Sequence, residues 1–181
     1  MAAPILERTQ AAIADQLRPG EALLAAAKAQ LDMRVMNAMR KDPSAGSWAD
    51  APGVVLTPPI GRESRDIVKT FATGVVIAVT NARVLLVDLT AIKHTPRLVM
   101  VSIDRDAIAH AQGGTRRVSF IKIRWLTLRV DTPSGPATLG FEVPKIAARE
   151  ADRVLAELGI DGESAVDADS PSDDHGGSDD G

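Results

Sequence analysis

Residues 74–89 read GVVIAVTNARVLLVDL. Gly74–Val79 is a run of β-branched and small apolar residues, and Val84–Val87 is a second run. Thr80-Asn81-Ala82 between them is a tight connection, because Asn tolerates turn geometry. Asn81, Arg83 and Asp88 break the apolar character well short of the roughly 18 residues that a membrane-crossing helix needs. The stretch reads as two strands and a turn.

Further along the chain the β pattern continues. Val99, Val101 and Ile103 alternate as in a half-buried strand, and Ile108 lies in a short candidate strand. Gly113-Gly114 reads as a turn, followed by extended segments at Val118–Ile123 and Leu126–Val130. The apolar phase flips between these two. Ile121, Ile123 and Trp125 share one parity and Leu126, Leu128 and Val130 the other, which predicts a bulge, kink or loop near Trp125. Pro133-Ser134-Gly135 is a hairpin turn, and Leu139, Phe141 and Val143 alternate again. Ala147, Ala151, Val154, Leu155 and Leu158 then form one helical stripe that Pro144 can open and Gly159 can cap. Asp161–Gly181 holds eight acidic residues, no Lys or Arg, and much Ser and Gly, so it is expected to be disordered. Before it stand 16 acidic and 21 basic residues, a net charge of +5.

Toward the N-terminus, Pro4 with Leu6, Thr9, Ile13 and Leu17 predicts a helix that Pro19-Gly20 stops. Glu21–Lys41 supports two readings. Ala22–Ala29 has high helix propensity, and Leu24, Ala27, Leu31 and Val35 share a helical face, whereas a strand over about 22–31 is what the family resemblance given next implies. Asp42–Gly61 carries seven Pro and Gly residues and reads as a long loop.

The sequence Leu17-Arg18-Pro19-Gly20-Glu21-Ala22-Leu23-Leu24, the hairpin Val79-Thr80-Asn81-Ala82-Arg83-Val84-Leu85-Leu86, and Leu139-Gly140-Phe141-Glu142-Val143 running into a helix together resemble bacterial pleckstrin-homology-like domains of the GRAM and YokE type. The resemblance spans roughly residues 17–159. It implies an α+β, mainly β fold: a bent seven-stranded antiparallel barrel capped by the C-terminal helix, with an extra N-terminal helix. The expected organisation is residues 1–18 as N-terminal helix, 19–160 as the domain with a long insert at 32–71, and 161–181 as the disordered acidic tail. It also implies binding rather than catalysis, in an adaptor that recognises a protein partner or an anionic surface. The alternative is a peripheral membrane protein that binds anionic lipid through a basic strand face.

The residues themselves agree with a binding role. Without Cys there are no disulfides, thiolate metal sites or cysteine nucleophiles, and a reducing, cytoplasmic location is expected, membrane-peripheral in the lipid-binding alternative. Met1–Gln10 lacks the pattern of a signal peptide. His94 and His110 are isolated in sequence, Ser102, Ser119 and Thr127 lack a nucleophile context, and no cofactor or metal is expected. Nucleic acid is disfavoured by three Phe, two Trp and no Tyr.

Arg116, Arg117, Lys122, Arg124 and Arg129 fall in a window, 107–130, that has no acidic residue; they are candidates for an anion patch or the solvated face of half-buried strands. Trp48, in the long loop near Arg40, Lys41, Arg62 and Arg65, is a candidate for insertion at a membrane interface or for pinning the loop. Arg83 is expected to bridge strand ends or meet Asp88. Met33, Met36 and Met39 are core, or a surface joining two copies in a homo-oligomer. The acidic tail either solubilises the chain or competes with an anionic ligand for the basic window.

Overall fold

In a computed structural model of the chain, which describes residues 4–57, 64–71, 74–118 and 120–160, the 74–89 stretch forms two buried antiparallel strands. They are β3 (Val75–Thr80) and β4 (Arg83–Leu89), the centre of an eight-stranded antiparallel sheet. The other strands are β1 (Leu23–Leu31), β2 (Val54–Leu56), β5 (Pro96–Asp104), β6 (Ile108–Val118), β7 (Ile121–Thr132) and β8 (Gly135–Val143), in the spatial order β2-β5-β4-β3-β1-β8-β7-β6. The helices are α1 (Ile5–Ile13), α2 (Met33–Lys41), α3 (Ser64–Thr70) and α4 (Ala148–Glu157). The expected architecture, a bent antiparallel sheet with helices at both ends of the chain, is present. The sheet is open rather than closed, and it has eight strands rather than seven. The eighth is β2, three residues from the Pro- and Gly-rich loop that pair with the outer edge of β5.

The bend lies in β1. Residues Leu23–Ala29 pair with β3, and Gln30 and Leu31 pair with β8, so one strand serves both halves of the sheet. The two readings of 21–41 divide at Asp32, with strand before it and helix after. Helix propensity loses in Leu23–Leu31 because the strand is buried on both faces. Ala25, Ala27 and Ala29 belong to the core that includes the α4 stripe, while Ala26 joins the cluster that holds Ile13 of α1. Only small side chains let a helix pack close to each face. The same double cover explains why β5 is buried on both faces rather than alternating.

The stripe Ala151, Val154 and Leu155 packs into the core between the two halves, with Ala147 and Leu158 at its margins. Each large side chain there contributes about 1.5–3 kcal/mol. The helix stops as expected. Gly159 takes φ +72°, its N–H donates to Ala156 O, and Ile160 N–H donates to Leu155 O, a Schellman closure.

Two readings of the second half change. Gly113-Gly114 is not a turn but lies inside β6, and the hairpin turn is instead at Phe120 between Val118 and Ile121. A Cβ on Gly113 would sit 2.5 Å from Leu155 Cδ2 and 2.7 Å from Trp125 O, so glycine here lets α4 lie against the strand. Nor is there a bulge near Trp125. The β7 ladder is regular from Arg124 to Thr132 with β8 and from Ile121 to Arg129 with β6, and the irregularity in β6 falls between Ile108 and His110. The tail at 161–181 and the end of the long loop, residues 58–61, lie outside the described residues.

The chain entry and the β3–β4 turn form one corner. Arg83 donates through Nε to Glu21 Oε1 (2.9 Å) and through Nη2 to Oε2 (2.6 Å), with side chains 9% and 2% exposed. Its other contacts are Ser102 Oγ at 3.0 Å and Gln16 O at 3.2 Å. Asp88 pairs instead with Arg97. Asn81 accepts from Ala22 N–H and donates to Gly20 O. Burial alone would raise the Glu21 carboxyl, but hydrogen bonds from Arg83, the Arg18 N–H and the Thr80 hydroxyl outweigh it and lower it from 4.5 to about 2.

A group depressed in the folded state stabilises fully above its unfolded value and loses that contribution as pH falls toward the folded one. Glu21 therefore supports the fold by roughly 3 kcal/mol above about pH 4.5, lost progressively toward pH 2. Arg83→Met strands a buried carboxylate and is expected to cost about 3–5 kcal/mol at pH 7, and less at pH 2, in urea titrations at both pH values. Gly113→Ala is expected to cost about 1–3 kcal/mol, read as a lower Tm.

Candidate functional site

The five basic residues of the 107–130 window do not share a surface. Directly opposed residues in a ladder point to the same face. Arg117 opposes Lys122 and Thr115 opposes Arg124, on the face that carries buried Leu126, Leu128 and Val130. Arg116 opposes Ile123 and His110 opposes Arg129, on the other face.

Three of the five are committed to acidic partners. Arg116 reaches Asp32 at 2.9 Å and also pairs with Glu142, while Asp32 caps α2 by accepting from Arg34 N–H. Arg124 binds Asp152 of α4 through Nε at 2.7 Å and Nη2 at 3.3 Å. Arg129 lies 3.6 Å from Asp131, seven residues and about 23 Å along the strand from Lys122. Arg117 and Lys122 are exposed and have no ion pair among the described residues.

This layout accounts for the phase flip. The row that is core at Leu126–Val130 continues as Arg124, which meets Asp152 of α4, and then as exposed Lys122. On the opposite face Ile123 and Trp125 are half-buried where Arg116 spans from β6 to Glu142 on β8. The flip marks the place where cover changes sides.

Trp48 is 1% exposed and belongs to the core, in a 3₁₀ turn at Trp48–Asp50 that packs on β2, β7 and β8. Of its two readings the pinned loop holds, and the residue is unavailable to a membrane. Met36 is buried and Met39 Sδ accepts from Thr138 N–H at 3.2 Å, so these two seat α2 on β8, while Met33 is exposed. Gly140 permits this seating, since a Cβ there would lie 2.6 Å from that of Val35.

Sequence reading missed the shape of the hairpin end. Strand β8 finishes at Val143 opposite Arg124, so Ile121, Lys122 and Ile123 pair with β6 only, against Val118, Arg117 and Arg116. The β6–β7 hairpin thus extends about 10 Å beyond β8. At its tip Phe120 is 94% exposed and Ile121 58%. The segment after β8 packs against β7 and adds Lys145 and Ile146, the latter 94% exposed. Three of the seven exposed large apolar side chains among the described residues therefore share this end. Among the basic side chains there, Arg117, Lys122, Lys145 and Arg149 have no ion pair among the described residues; Glu150 is an acidic neighbour likewise unpaired. Phe120 stood in the sequence beside five cations, but the misplaced turn at Gly113 hid its position at a tip.

The seam between α4 and the sheet, lined by Ala27, Ile77, Leu126 and Val154 among others, has space for about one water. No group of three or more His, Asp and Glu side chains able to hold a metal occurs among the described residues, and no helix there is long and apolar enough to cross a membrane.

No family model and no curated protein matches this chain. Among solved structures it is similar to a pleckstrin homology domain from Shewanella amazonensis SB2B, at 17% identity and a TM-score of 0.36, over 81% of this chain and 97% of that one.

The two sets of cations should separate in mutagenesis. Arg116→Ala leaves buried Asp32 without its cation and is expected to cost about 2–3 kcal/mol in urea unfolding. Arg117→Ala and Lys122→Ala should each stay within about 0.5 kcal/mol of the parent.

Proposed function

We propose that this chain is a non-catalytic binding module that engages an anionic surface with the overhanging β6–β7 hairpin and the adjoining Lys145–Arg149 segment. The observation that carries the reading is the pairing of Arg117 with Lys122 on one face of an exposed hairpin, without acidic partners among the described residues, while Arg116 and Arg124 beside them are neutralised. Cations held for structure are paired in this fold. Within the 107–130 window the two that are left over, Arg117 and Lys122, lie together at the hairpin end, where they can meet an external negative charge. The absence of a roomy cleft at the α4 seam supports recognition by a surface rather than enclosure of a small substrate. The GRAM- and YokE-type resemblance of the chain entry and the β3–β4 hairpin points the same way, toward binding rather than turnover.

Each basic side chain near an anionic surface contributes on the order of 1 kcal/mol. Arg117→Gln with Lys122→Gln is therefore expected to weaken retention on polyglutamate-coated beads or phosphatidylserine vesicles about thirtyfold at low salt. Binding of the parent should itself decline as salt rises. A parent chain retained on neither support at low salt would overturn the proposal.

A further inference from the structure

Resting on that reading, we infer that the anionic surface is a lipid bilayer, and that Phe120 and Ile121 enter it as an apolar wedge while Arg117, Lys122 and Lys145 meet the headgroups. Charge alone would fit any polyanion, but the shape and chemistry of the tip narrow the choice. Its outermost side chains are large and apolar, with Phe120 at 94% exposure and Ile146 beside the hairpin equally bare. A soluble polyanion offers nothing to cover them.

The tip is also convex. A protein partner would need a matching apolar pocket, whereas a bilayer receives a protruding apolar group anywhere on its face. Lengths agree as well. The overhang of about 10 Å exceeds a headgroup layer of about 5–8 Å, so the tip reaches the acyl boundary while Lys122 stays among the headgroups. A second copy is the poorest occupant. Two hairpins meeting tip to tip would bring Arg117 and Lys122 against their counterparts, with no acidic residue anywhere in 107–130 to offset them.

The chain has no cysteine, so Phe120→Cys in the full chain takes a single environment-sensitive NBD label at the tip. Ile92→Cys, at a residue 92% exposed in the β4–β5 turn, is the control. On mixed phosphatidylcholine–phosphatidylserine vesicles the label at 120 should shift to the blue and be quenched by lipids spin-labelled along the acyl chain, and the label at 92 should do neither. Unlabelled Phe120→Ser should bind these vesicles at least about tenfold more weakly than the parent, with polyglutamate binding unchanged.

A label at 120 that stays unshifted and unquenched while the chain binds vesicles or polyglutamate through Arg117 and Lys122 would refute insertion yet leave the proposed function standing. Failure to bind any anionic support would remove both. A blue shift that rises with protein concentration without vesicles would make the tip a self-association surface and overturn the inference.

Discussion

The fold depends on the contact between Glu21 and Arg83. It joins the point where the chain enters the sheet to the turn that forms its central hairpin. Around it Asn81 bridges Gly20 and Ala22, Thr80 offers its hydroxyl to Glu21, and Ser102 of β5 receives a guanidinium N–H. Arg105 extends the corner, donating to Thr80 O and to the last carbonyl of α4, Glu157 O. The start of β1, the β3–β4 turn, β5 and the end of α4 are thereby held at one place. A buried ion pair contributes little net stability compared with apolar packing of the same volume. What it adds here is position, since a shift of one residue in β1 would separate Glu21 from Arg83 and turn every alanine of the strand to the wrong face.

Once that corner is set, the sheet is covered in sequence. Helix α1 lies on the outer face of the β1-β3-β4-β5 half, α2 on β8, and α4 between the halves. Each approach demands a small residue beneath it: Ala26 under α1, Gly140 under α2, and Ala27 and Gly113 under α4. Among the described residues, the part of β6 and β7 beyond Val143 has no third strand paired beside it. Its side chains there are accordingly the ones free for an external partner. The site is a remainder of the packing, defined by where cover ends.

That origin explains what the sequence showed and what it hid. The β3–β4 hairpin was legible because its burial repeats residue by residue, and the α4 stripe because helical period and a capping glycine coincide. The first strand was ambiguous, since alanine is both the best helix former and the residue needed when helices press on both faces of a strand. Gly113-Gly114 misled for a related reason. Glycine signals a turn locally, but here it answers to Leu155, some forty residues away. With the turn placed there, Phe120 fell inside a strand, and the basic window looked continuous although its members point to opposite faces. Ion pairs with Asp32, Glu142 and Asp152, absent from composition and periodicity, separate Arg116 and Arg124 from Arg117 and Lys122. Trp48 was open to two readings because loop composition does not reveal whether a loop folds over the core.

An exposed hairpin with an aromatic tip carries a cost. Unpaired edges and bare apolar side chains invite association between copies, and basic residues beside them commonly serve as gatekeepers. Arg117 and Lys122 fit that protective role, but protection alone does not account for the whole end. A gatekeeper needs only to flank the apolar segment, whereas Ile146 and Lys145 arrive from a different part of the chain and repeat the same combination of apolar and cationic side chains beside the tip. Nothing in the packing requires Ile146 to be bare, since it precedes the buried α4 stripe and is not part of it. Two independent segments that converge on one composition at one end argue that the end is kept for contact, with the cations both preventing self-association and selecting a negatively charged partner.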